Sequence, residues 1–374
     1  MNREMTFYDV HVPPEEKKPY PADMSYLCIM LTIKSMNLQN PLNESAGTSW
    51  VEIVRQYNHP NPGKSWLQFS ANLLLYAAGW LLLYESMAIF YWITLAISIP
   101  VAGMLVRLFI IYHDCSHGSF FKSARISDTI GLLIGILTFT PYYHWSKNHE
   151  IHHDTAGNLD KRGIGDVWTM TVAEYRESSR WQKTVYRFYR HPITMFFIGA
   201  PFVFIIGNRF TKKGMNGKDR LSVYITNAGL LVFFTLMSML IGVKAFILIQ
   251  LPIISFAGIF GFWLFYVQHQ FDPSYWARND AWEYKRVALE GSSYYKLPRV
   301  LQFFSGNIGF HHIHHLSPMI PNYNLSRCHR ENALFSGVKP LTFWQSFKTL
   351  TFRLYDENTK ELVSFRKMRL IYVK

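Results

Sequence analysis

Cysteine is nearly missing from this chain. Cys28, Cys115 and Cys328 are the three in 374 residues, too scattered for a disulfide framework or for the cysteine spacing of an iron–sulfur cluster. There is no His-Pro-Gly-Gly segment to hold haem. The paired Glu-x-x-His motifs of carboxylate-bridged di-metal bundles do not appear, although Glu150 lies inside a histidine cluster. Acidic residues are short: 25 Asp+Glu against 38 Lys+Arg leave a formal charge of +13. The polar N-terminus carries no signal-peptide pattern. Several long stretches have almost no charge at all, and they decide the class.

The hydrophobic fraction is 49% and the aromatic fraction 17%, gathered in runs rather than dispersed. Four runs, at about 66–84, 88–112, 221–242 and 245–267, are long enough to cross a bilayer. Ile130 to Phe139 is apolar but too short to cross and is expected to be buried or interfacial; Thr194 to Gly207 is again apolar and short. The sequence therefore predicts an all-α integral membrane protein with four transmembrane helices in two hairpins. Residues 113–220 and 268–374 form a helical cap. Residues 1–60 read as a polar leader, poorly specified to about Ser35, with Met36 as an alternative start. Residues 61–374 read as the membrane domain. Val51 to Tyr57 reads as a short amphipathic turn. With spans present, the basic excess suits lipid head groups or an acidic protein partner, and no nucleic-acid partner is expected.

Three histidine clusters sit beside these runs. His149, His152 and His153 are spaced i, i+3, i+4, so on a helix they share one face. His311, His314 and His315 repeat the spacing, and His113 and His117 stand at i and i+4. His269 follows the fourth run closely enough to join them. Two hairpins return the chain to the side it left, so all the clusters lie on one side. The loops there are rich in Lys and Arg, while Lys244 is the one base in the opposite loops, which makes the histidine side cytoplasmic. Neutral imidazole is a common ligand of first-row metals, and such ions take about four to six ligands. Nine imidazoles therefore predict two ions. Asp114, Glu150 and Asp154, with Asn307, are the candidates to support the ligands from behind. His312 faces away from its cluster. His144 reads as a surface or supporting residue, and His11, His59, His191 and His329 as loop residues. Cys115 reads as small packing.

At these residues the chain resembles a known family, the membrane fatty-acid desaturases, and among them the bacterial acyl-lipid desaturases. The likeness lies in His-x-x-x-His within Phe109-Ile110-Ile111-Tyr112-His113-Asp114-Cys115-Ser116-His117, and in the two His-x-x-His-His clusters. It extends to Asn158-Leu159-Asp160-Lys161-Arg162-Gly163, Gly165-Asp166-Val167-Trp168 and Trp263-Leu264-Phe265-Tyr266-Val267-Gln268-His269. Gly306-Asn307-Ile308-Gly309-Phe310, Leu316-Ser317-Pro318 and Ile320-Pro321-Asn322-Tyr323 add to it. The pattern is most similar to the cold-induced Δ5 phospholipid desaturases of Gram-positive bacteria, over roughly residue 60 to the end. The resemblance implies a di-iron centre in a bacterial cell membrane, with the nine histidines as ligands and O2 as oxidant. It also implies electrons from a small ferredoxin or flavodoxin.

The chemistry agrees with the residues. An unactivated methylene has no acidic proton and no leaving group, so a redox metal is needed to attack it. The expected reaction leaves a cis double bond in a phospholipid acyl chain. The basic stretch Arg209 to Arg220 offers a docking place for an acidic electron carrier or an anchor on anionic lipid. Other positions, such as Δ9 or Δ12 (ω-6), stay open, as does a sister di-iron membrane hydroxylase or carotenoid ketolase. From another class, a histidine-rich metal transporter would place its ligands within the spans, near the midplane.

Overall fold

The protein is described by a computed structural model covering residues 49–372. The compact unit starts at Trp50. Residues 50–60, grouped above with the leader, thus belong to the main body. Helix α1 (Trp50–Arg55) buries Val54, and Tyr57 just after it is also buried, among Ile313, Leu316 and Phe335. Tyr57 Oη donates to Glu331 at 2.8 Å. The poorly specified start, Met36, His11 and Cys28 lie outside the described residues.

The helices that position the site are, in chain order, α2 (Pro62–Met87), α3 (Tyr91–Ser116), α4 (Ala124–Leu137), α5 (Tyr142–Thr155), α6 (Arg180–Tyr189), α7 (Gly217–Ile241), α8 (Val243–His269), α9 (His311–Leu316) and α10 (Asn322–Glu331). Helices α2, α3, α7 and α8 are long and apolar enough to cross a membrane. Each outruns its apolar stretch. A 26-residue helix is about 39 Å long, against a hydrocarbon core of about 30 Å, so its last turns stand clear of the lipid. That excess carries His113 and His269 out of the membrane as continuations of α3 and α8.

Local signals set the helix ends. Asn61 caps α2 by accepting from the Lys64 N–H at 3.0 Å, and Pro62 occupies the first turn, where no N–H is needed. Asn216 and Asp219 form a reciprocal capping box that starts α7. Gly242, at φ 85°, makes the turn between α7 and α8, a conformation that side chains resist.

Helix α3 is the most enclosed. Leu105, Leu108, Ile111 and Tyr112 are buried in a core shared with α2, α4 and α8. At Gly79 of α2 a Cβ would lie 2.6 Å from Val101 Cγ2, so only glycine lets α2 pack this close to α3. Leu231, Val232, Leu236, Met239 and Leu240 of α7 are exposed, as suits a helix surrounded by lipid. Arg107, inside α3, is satisfied by protein: Nε donates to Asn72 Oδ1 at 2.9 Å, and the guanidinium reaches the Phe303 carbonyl and stacks 4.2 Å from its ring.

The first short apolar run is mostly buried or half-buried, as expected. Ile130 and Ile134 of α4 are buried under Tyr142 and Tyr112. The run after Pro192 forms a π-helical turn (Ile193–Gly199) and a short helix (Ala200–Ile205), bent by 62° from α6. The cap is mostly helical but is stitched by short strands. β1 (Met170–Thr171), β4 (Leu354–Asp356) and β5 (Glu361–Val363) form one small sheet, while β2 (Tyr294–Lys296) pairs in parallel with β3 (Pro340–Thr342). Strands of two or three residues have no readable alternation, so nothing in the sequence pattern announced them.

Candidate metal centre

Four elements supply the imidazoles. The end of α3 carries His113, with His117 as its C-cap. Helix α5 carries His149, His152 and His153, α8 ends on His269, and α9 carries His311, His314 and His315. One donor nitrogen from each of His113, His117, His149, His153 and His314 lies within 4.8 Å of all the others. His152, His269, His311 and His315 form a second such group. All nine sequence-predicted histidines are therefore brought together. The split runs through the clusters: α5 gives His149 and His153 to one group and His152 to the other, and α9 gives His314 to one and His311 and His315 to the other. His153 and His315, one from each group, stack with ring centroids 4.2 Å apart.

The short contacts are all between Nε2 atoms. They join His113 to His314 (3.0 Å), His314 to His153 (2.9 Å), His153 to His149 (3.2 Å), His152 to His269 (3.0 Å) and His269 to His311 (3.0 Å). Two nitrogens, each about 2.1 Å from one ion and at right angles, are about 3.0 Å apart. Such spacing is what neighbouring ligands need. Hydrogen bonding explains it less well, because His314 and His269 each meet two other Nε2 atoms with one ring proton to share. His315 Nε2 is buried with no hydrogen-bond partner among the described residues. Burial, reinforced by the neighbouring rings, holds His149, His153, His311, His314 and His315 well below the usual imidazole pKa. These rings are neutral at pH 7, with lone pairs available for a cation. Among the described residues, neither group includes a carboxylate.

Two carboxylates stand behind the rings. Asp114 Oδ1 is 3.0 Å from His113 Nδ1, and its Oδ2 accepts from the Asn322 backbone N–H (2.7 Å) and side-chain amide (2.8 Å). Asn307 donates to the Asn322 carbonyl at 3.2 Å, so its support for the site runs through Asn322. Asp166 Oδ1 is 2.7 Å from His152 Nδ1. We assign Nδ1–H as donor in both, which leaves Nε2 free to face the centre. Two of the acids chosen from sequence are not placed this way. Glu150 and Asp154 are exposed on α5, and neither hydrogen-bonds a histidine among the described residues. The reason is helical geometry: each directly follows an inward histidine and is turned about 100° from it.

Asp166, the better support, escaped selection because it lies 14 residues from its partner, in a loop. Its one local signal is the flanking glycine. Gly165 has φ +73°, and a Cβ there would lie 2.9 Å from His152 Cβ. Trp145, one turn before His149, stacks on that ring at 4.5 Å and was also not selected.

Of the remaining histidines, His144 is half-buried, its Nε2 3.2 Å from Asn148 Nδ2. His59 and His191 are exposed, as expected. His329 is a correction: it is half-buried on α10, packs against Tyr294 with tilted rings 4.4 Å apart and meets His312 at 3.3 Å. Its helix turns it onto the aromatic wall behind α9. Cys115 is buried in the core, as read. Arg209 also departs from the basic-loop reading: its guanidinium reaches the Phe139 carbonyl and Asn227, so it is turned into the protein.

The meeting of His149, His152 and His153 with His269 fixes a parity. Between them lie α7 and α8, two crossings. A third would separate the rings, so the bent segment from α6 to Arg209 returns to the side it leaves.

Comparison with known proteins agrees with this centre. The fatty acid desaturase family model matches residues 89–347. A fatty acid desaturase of Bacillus subtilis is 44% identical over 320 residues, covering 86% of this chain and 91% of that one. An sn-1 oleoyl-lipid 12-desaturase of Picosynechococcus is 26% identical over 287 residues, 74% of this chain and 79% of its own. An sn-1 acyl-lipid omega-3 desaturase (ferredoxin) of Synechocystis is 26% identical over 263 residues, 64% and 68% of the two chains.

Proposed function

The chain belongs to the fatty acid desaturase family, and on that premise we propose that it inserts a cis double bond, at Δ5, into the acyl chain of a membrane phospholipid. The reaction is oxidative and of the acyl-lipid type. The observation that carries the metal reading is the pair of adjacent, carboxylate-free groups of buried imidazole nitrogens. In this reading the first group and the second each hold one iron. Imidazole suits several first-row metals, but zinc has no redox chemistry, and removing hydrogen from an unactivated methylene requires it.

Two bound irons would supply the means to use O2 and two electrons as an oxidant of the chain. Two hydrogens leave adjacent carbons, and with two protons and two electrons from outside, O2 departs as two waters. The chain's own residues do the rest. Asp114 and Asp166 hold the His113 and His152 rings in orientation. The packed aromatic wall of Trp145, Tyr112 and Phe109, with Tyr112 fully buried, shields that flank from water. The electrons come from a ferredoxin or flavodoxin; the Synechocystis relative's name supports the first of these. We place the site at the cytoplasmic face of a bacterial cell membrane. The turns across the membrane, residues 88–90 and Gly242, carry no base, and Lys244 is the one close by. We assign the desaturase domain to residues from Trp50 onward.

The test is expression in a host without unsaturated fatty acids, with metal analysis of the purified protein and mass spectrometry of the lipids. Two irons per chain and a Δ5 alkene are expected. A hydroxylated product without an alkene would move the chain to the sister hydroxylases. Metal flux without O2 consumption would favour a transporter.

A further inference from the structure

An open groove of about 230 Å³ lies between the start of α2 and the start of α4, lined by Trp66, Arg125, Ile126, Thr129 and Ile130. It flanks the metal centre. Trp66 packs on Phe121 at 5.1 Å, and Phe121 follows His117 by four residues in the loop after α3. The wall is apolar and continues along exposed apolar side chains of α2 and α4. Ile126, Ile130 and Leu133 fall on one face of α4 at i, i+4 and i+7, and Leu133 and Leu67 of α2 are exposed. Trp66 lies in the first turns of α2, two residues after Lys64, the order in which tryptophan and lysine flank membrane spans.

The mouth is cationic. Arg125 is exposed and has no salt bridge among the described residues, and Lys122 and Lys64 are exposed on the flanking segments. Lys64 lies 5.8 Å from the Tyr323 ring. The acid of α4 is Asp128, half-buried, which accepts from Tyr143 at 3.3 Å. A basic rim over an apolar trough at the interface matches a molecule with an anion at one end and a hydrocarbon chain at the other. The volume is too small for a whole lipid and suits the ester end of one chain.

We propose that this groove is the subsite where a glycerophospholipid is seized, its phosphate on Arg125 and its ester-proximal methylenes along Trp66, Ile126 and Ile130. The proposal rests on the desaturase reading and adds the anchor. An anchored phosphate beside a fixed metal centre makes the enzyme count carbons from the ester end of the chain.

The experiment uses full-length protein in lipid nanodiscs, with Cys28→Ser and Leu133→Cys carrying a bimane fluorophore. Quenching is titrated with brominated phosphatidylglycerol and with brominated diacylglycerol, which has the same chains and no phosphate. Phosphatidylglycerol should reach half-quenching at a mole fraction about fivefold lower, the contribution of one basic side chain near an anionic surface. Arg125→Glu should abolish that preference, whereas Arg220→Glu, in the first turn of α7, should leave it. Thr129→Trp, which fills the groove without changing charge, should weaken quenching by both lipids. An unchanged preference in Arg125→Glu, or none in the parent protein, overturns the proposal. Desaturated product from the same nanodiscs reports on the enzyme reading separately: product with no preference sinks only the anchor, and no product sinks the reading beneath it.

Discussion

Asp166 stands 2.7 Å from His152, carboxylate to Nδ1, across a loop that passes close only because residue 165 is glycine. The contact orients a ring whose Nε2 is 3.0 Å from His269. Asp166→Asn keeps the shape and loses the charge. Iron affinity or activity should fall about 10- to 100-fold, read as iron per chain and product yield. Unchanged iron and product would show that the contact only fastens the loop.

Gly165→Ala tests the same contact through the backbone. A left-handed conformation costs a side-chain-bearing residue about 1–2 kcal/mol, and the new Cβ meets His152. Lower thermal stability together with reduced iron content is expected. Gly163→Ala, at φ +122° with nothing near its Cβ, should be milder for iron at comparable strain.

His152→Ala and His314→Ala each remove one nitrogen, from different groups. Both should abolish desaturation and leave membrane insertion intact, as judged by lipid analysis and membrane fractionation. Full activity in either would remove that ring from the ligand set.

The acid sensitivity of metal-free protein follows from the buried rings. His149, His153, His311, His314 and His315 resist protonation when folded, while the unfolded chain takes up protons below about pH 6.5. The unfolded state then binds more protons than the native one, so stability falls as pH falls from about 6.5 downward. Denaturation of the detergent-solubilised protein should show no such loss above about pH 7.

Sidedness has a direct measure. Single cysteines at Ile89 and Gly242 should react with impermeant reagents from outside the cell, and cysteines at Lys122 and Lys213 only after permeabilisation. The reverse pattern would put the centre on the other face.

The one-dimensional pattern was enough for the spans, the three clusters and the parity that sets them on one side. Run length, the i, i+3, i+4 spacing and the count of crossings are local quantities. They also sufficed to include His269, because it ends a helix whose apolar run is visible. The sharing-out of rings was not legible. Whether His152 joins His149 or His269 depends on how α5 turns against α8 and α9, which is a matter of packing. Nor was the choice among acids, since Glu150 and Asp154 are near in sequence but rotated away, while Asp166 arrives from a loop. Helix rotation and loop return depend on contacts between distant segments, and only the assembled fold decides those.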